Sequence, residues 1–106
     1  MSRSWILIAA LAAAPASAAD DGPGIPGAGR RLALDWCAEC HWIAPDQASH
    51  REVGAPAFAD VAANPAVTET ALRAFLVTPH DVMPNIKLAP AQIDDIVAYL
   101  LSLKTP

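Results

Sequence analysis

The sequence predicts an all-α domain of three to four helices. Apolar residues recur at helical spacing in separate segments, most clearly at Ile93, Ile96, Val97, Leu100 and Leu103. No convincing strand pattern interrupts them. Prolines and glycines break the chain between the periodic segments, which keeps each helix short.

The elements follow in order. Met1 to Ala19 reads as a secretory signal. Arg3 gives a short basic start, an apolar stretch runs from Trp5 to Ala14, and the small-residue site Ala16-Ser17-Ala18 precedes Ala19. The stretch is too short to span a bilayer comfortably, so a retained N-terminal anchor is the lesser reading. The expected division is residues 1–18 as signal, 19–28 as a flexible segment (its DDGPGIPGA run has no periodicity) and 29–106 as one domain.

Gly29 to Glu39 reads as the first helix, with Leu32 and Trp36 four apart on one face and Cys40 at the next turn. His41 to Ala55 has no sustained period and reads as loop. Pro56 to Ala63 holds a short helix carrying Phe58 and Val61. Thr68 to Val77 is a clearer one, with Thr68 as N-cap and Leu72, Phe75 and Leu76 as its apolar stripe. Pro79 stops it. A loop with two prolines, Pro79 to Leu88, leads to the last helix from Pro90 to about Leu103. Pro90 suits the first helical position, and Asp94 and Asp95 favour the positive end.

The chemistry sits in Cys37-Ala38-Glu39-Cys40-His41, a C-x-x-C-H run behind an export signal. This is the attachment signature of c-type haem. Two thiols three positions apart reach the two vinyl groups of one haem and become thioethers. The adjoining His41 places a neutral imidazole under the iron as proximal ligand. A redox dithiol, a structural disulfide or half a zinc site are the plainer readings. Zinc would need four ligands, and there is no second cysteine pair; His50 and His80 lack ligand spacing. A dithiol of the thioredoxin type would need a βαβ pattern nearby.

Composition bounds the rest. Only two cysteines are present and both are claimed by haem, so no disulfide staples the fold. A chain of this size buries a small core, and a haem would complete it; the apoprotein is expected to fold poorly. The formal charge is −4, and about −5 once Arg3 is removed with the signal. Nucleic acid and anionic lipid are therefore unsuited as partners, and a redox protein with a basic docking surface suits. Solubility alone is an equal explanation of the acidic balance.

The sixth iron position needs a ligand. Met83 is the single methionine after the signal and lies in the loop between helices, stiffened by Pro84. Its thioether is soft and neutral, and it raises the reduction potential. Packing in the core is the plainer role for it. His80 is the rival ligand, and His50 a weaker one. With both axial positions filled, the iron has no open site for dioxygen, peroxide or substrate, which points to electron transfer rather than catalysis.

From Gly29 to Leu103 the chain resembles the small monohaem class I c-type cytochromes. The resemblance rests on Gly29 eight residues before the first haem cysteine, Cys37-Cys40-His41, the loop Gly54-Ala55-Pro56-Ala57-Phe58, Met83-Pro84-Asn85 and the closing Val97-Ala98-Tyr99-Leu100. It implies a small cytochrome c-like fold wrapped around one haem c, bound through Cys37 and Cys40, with His41 and Met83 as axial ligands. It also implies crossing of the first and last helices, with Gly29 meeting Tyr99. A Pro56 carbonyl would bond to the outer nitrogen of His41, and Asn85 would steady the Met83 sulfur.

Two positions depart from the family pattern. Ala33 stands where an aromatic is common, with Trp36 as a substitute, and Ala55 splits a usual Gly-Pro pair. Trp42 and Arg51 are open between a haem-edge or propionate contact and ordinary packing or solvation. The expected function is a diffusible periplasmic one-electron carrier between respiratory or dehydrogenase partners. The alternatives are a dedicated electron-transfer subunit of a periplasmic dehydrogenase, a ligand-binding haem sensor or enzyme, and, remotely, a haem-free thiol module.

Overall fold

In chain order the helices are α1 (Pro26–Trp36), α2 (Phe58–Ala63), α3 (Glu69–Leu76) and α4 (Pro90–Ser102), with no strand among the described residues. The structure is a computed structural model and describes residues 2, 4–12, 23–51, 53–80 and 82–105. The expected cleavage site at Ala16-Ser17-Ala18 lies outside them.

The first helix begins three residues earlier than its periodicity suggests. Pro26 takes the first helical position, and the Ile25 N–H before it donates to Asp95 Oδ1 on α4 at 2.8 Å. Pro26 to Ala28 therefore belong to the helix rather than to a flexible segment. The helix also stops earlier, at Trp36. The Ala33 carbonyl accepts from both Cys37 N (2.8 Å) and Ala38 N (3.0 Å), which ends the regular ladder. Residues 37–40 continue as tight turns, so the C-x-x-C-H run lies beyond the helix end.

Helix α4 is the element on which the other three pack. Its face of Ile93, Ile96, Val97, Tyr99 and Leu100 is buried, with Ile96 and Val97 at 1% exposure. Leu103 packs against this core from its edge. Against α4 lies α1, and Gly29 sits directly on the backbone at Asp95 and Ile96. Any Cβ there would collide with the Asp95 carbonyl. The nearest atoms to the glycine are thus α4 backbone, one turn before Tyr99. Ala33, fully buried, occupies the same crossing. A small residue at that position follows from how closely the two helices approach. Trp36 does not replace the missing aromatic; it is 43% exposed and is not among the residues packed on the core at the crossing.

The shorter helices are fixed at their ends. Pro56 and Ala57 stay outside α2, which has Ala57 as an extended N-cap; Phe58 and Ala62 are buried. Lys104 Nζ donates to the Ala62 (2.9 Å) and Asn64 (3.3 Å) carbonyls where α2 ends. Thr68 caps α3, its Oγ1 accepting from Ala71 N at 3.1 Å. Arg73 on α3 bonds to Asp94 on α4 at 2.6 Å and to Glu69 one turn earlier at 3.2 Å. Asp94 and Asp95 lie past the first turn of α4, and their charges serve Arg73 and the Ile25 N–H. Gln92 Oε1 accepts from Ala89 N at 2.8 Å and closes that helix start.

Candidate functional site

A cavity of about 680 Å³ opens between these helices, within the size range of cofactor sites. Cys37, Cys40, His41, Pro56 and Met83, the residues singled out from the sequence, all line it. Phe58, Leu72, Ile96 and Leu100 form its buried apolar surface. Trp36, Val53, Phe75 and Val82 also line it, yet each remains more than two-fifths exposed. The apolar stripe of α3, Leu72, Phe75 and Leu76, thus faces the cavity as a whole, with Leu72 buried and Phe75 at the exposed rim.

His41 is held in one tautomer. Its Nδ1 lies 2.6 Å from the Pro56 carbonyl. A carbonyl can only accept, so Nδ1 carries the proton and Nε2 keeps its lone pair for a metal. The Phe58 ring meets the imidazole edge-on at 5.4 Å. Phe58 N in turn donates to the Trp42 carbonyl at 2.8 Å, joining the two loops that carry His41 and Pro56.

Burial pushes the Cys37 thiol up to about 11, so it is neutral at ordinary pH. A catalytic dithiol needs the opposite shift. A half-buried neutral thiol facing an apolar cavity suits a side chain that will be joined to a porphyrin edge. The cavity accordingly fits haem in its apolar lining, in its paired thiols and in its free imidazole nitrogen.

His80 shares the cavity with Met83 and stacks on Phe75, ring centroids 3.7 Å apart. His50 lies instead on Trp42, at 4.4 Å, and neither of these two lines the cavity. Arg51 pairs with Glu39 at 3.1 Å on the surface. Asn85 lines the cavity beside Met83 and Pro84.

One residue escaped the sequence reading altogether. Gln47 joins the attachment turn to the following loop through both ends of its amide, with Nε2 2.9 Å from the His41 carbonyl. A lone glutamine in a loop without periodicity carries no signal; only the folded loop brings it to His41.

No family model matches the chain, and no solved structure matches it. Among curated proteins, cytochrome c-552 of Bradyrhizobium diazoefficiens is 38% identical over 99 residues, covering 93% of this chain and 89% of that protein. That extent of identity, over a chain whose cysteine pair and adjoining histidine line one apolar cavity, places the protein among the small class I c-type cytochromes, electron carriers with one haem c bound covalently, here through Cys37 and Cys40.

Proposed function

We propose that this chain is an exported, periplasmic one-electron carrier whose iron is held between His41 and Met83. The observation that carries the reading is the 2.6 Å bond from His41 Nδ1 to the Pro56 carbonyl, in a cavity that Met83 also lines. Haem iron supplies the reversible uptake of a single electron. The protein supplies the rest. The Pro56 carbonyl orients the imidazole and makes its Nε2 more basic. The Phe58 edge limits its rotation. Met83, stiffened by Pro84, offers a neutral thioether that favours the reduced state. Two protein ligands leave no coordination position for a substrate, which is the physical ground for a carrier over an enzyme.

Export is supported by the N-terminal pattern. Trp5, Ile6, Leu7, Ile8 and Leu11 are at least 84% exposed and add nothing to the core. Among the described residues no helix is long and apolar enough to cross a membrane. The acidic balance of the chain favours redox partners with basic docking surfaces. A second reading, a dedicated subunit of a periplasmic dehydrogenase, draws on the exposed apolar residues Trp36, Val53, Phe75 and Val82 along the cavity. Stable co-purification with a large enzyme would favour it.

The test is an absorption spectrum of the exported protein, oxidised and reduced, extended to long wavelength. A low-spin c-type spectrum with the methionine-to-iron charge-transfer band is expected. A c-type spectrum without that band would remove Met83 and bring His80 forward.

A further inference from the structure

We propose that Gln47 is a positioning residue for the haem, holding the attachment turn and the backbone of His41 through a single side-chain amide. The inference rests on the reading of His41 as proximal ligand. The regular pattern ends at Cys37, whose carbonyl still accepts from His41 N at 3.0 Å, so the carbonyls of Ala38, Glu39 and His41 need donors from elsewhere. Gln47 Nε2 supplies them to Ala38, between the two haem cysteines, at 3.0 Å and to His41 at 2.9 Å. It also lies 3.0 Å from the Ser49 carbonyl. On its other side, Gln47 Oε1 accepts from Ile43 N at 2.6 Å. The Arg51 N–H takes the Glu39 carbonyl, so the segment from 47 to 51 straps the turn at three of its carbonyls.

The partners dictate the residue type. Three are carbonyls, which only accept, and one is a backbone N–H, which only donates. This fixes which end of the amide is oxygen. A carboxylate of the same shape would accept from Ile43 but set its second oxygen against the carbonyls. A thioether of similar length would serve neither side. His41 is then anchored twice, at its ring by Pro56 and at its carbonyl by Gln47.

The experiment compares Gln47→Glu and Gln47→Met with the parent holoprotein. The readouts are the hyperfine-shifted haem-methyl proton resonances of the ferric state, the midpoint potential, and haem attached per exported chain. Lys104→Met, which removes a side-chain clamp on carbonyls away from the haem turn, is the control. Both Gln47 variants are expected to redistribute the haem-methyl shifts and move the potential, whereas the control loses only thermal stability. A variant that is not matured is read by attachment: a larger loss than in the control is expected. Parent-like resonances and potential in both Gln47 variants, or attachment no lower than in the control when they are not matured, would overturn the proposal. The parent spectrum, recorded first, tests His41/Met83 ligation independently of Gln47.

Discussion

The Tyr99 hydroxyl donates a buried hydrogen bond of 2.6 Å to the carbonyl of Ile43, joining α4 to the loop two residues beyond His41. The ring also lies 6.3 Å from that of Phe58, which itself touches His41. Removing the hydroxyl leaves the Ile43 carbonyl without that donor in a buried place. Tyr99→Phe should therefore cost roughly 1–3 kcal/mol of holoprotein stability. Thermal unfolding checks the loss, and the visible spectrum should stay that of the parent.

The crossing of α1 and α4 makes a second prediction. Gly29 faces backbone, which cannot yield as a flexible side chain would, while Gly27 two residues away faces open space. Gly29→Ala should destabilise by about 1–3 kcal/mol through overpacking, and Gly27→Ala should cause no loss. Paired thermal melts of the two variants decide it. Equal behaviour would mean that the helices do not meet at Gly29.

Acid stability gives a third. Arg30, 2.5 Å from Asp46, holds that carboxyl below its ordinary range, chiefly through the hydrogen bond. A lowered folded pKa means that the unfolded chain takes up the proton first on acidification. The contribution is present above the unfolded carboxylate pKa and is lost as pH falls through the folded one. Asp46→Asn should thus flatten the acid side of the stability profile, with no change in its slope above the carboxylate range. Melting temperature against pH, for parent and variant, shows whether it does.

The ligand assignment gives a fourth. Met83→Ala should open the iron to carbon monoxide in the reduced state and lower the reduction potential, since the thioether favours ferrous iron. His41→Ala should abolish maturation. Carbon monoxide titration and potentiometry follow the first variant, and haem-stained yield the second. An unchanged potential without carbon monoxide binding in Met83→Ala would remove Met83 from the iron.

What the sequence made legible was what depends on local chemistry. Thr68 as a cap, Pro90 at a helix start, the period of α4 and the spacing of Cys37, Cys40 and His41 all act within a few residues. The Pro56 carbonyl was reachable only through family resemblance, because it meets His41 across a loop. The start of α1 was hidden because Gly and Pro dominate its first turn by composition. Gly29 makes the close crossing with Asp95 and the Ile25 N–H donates to the Asp95 side chain, contacts that span most of the chain. Gln47 was hidden for the same reason: its donors and acceptors are assembled by the fold and not by any pattern.

The placement of α4 has a consequence for how the molecule is made. Each of the other three helices packs on α4, and α4 follows all of them in the chain. A polypeptide synthesised from its N-terminus thus carries α1, α2 and α3 without the helix they pack on until α4 emerges. Domains commonly form as whole units once their sequence is available, and here that moment comes late. The ordering leaves the three earlier helices without their packing partner until the last one is made, so the haem pocket closes only then.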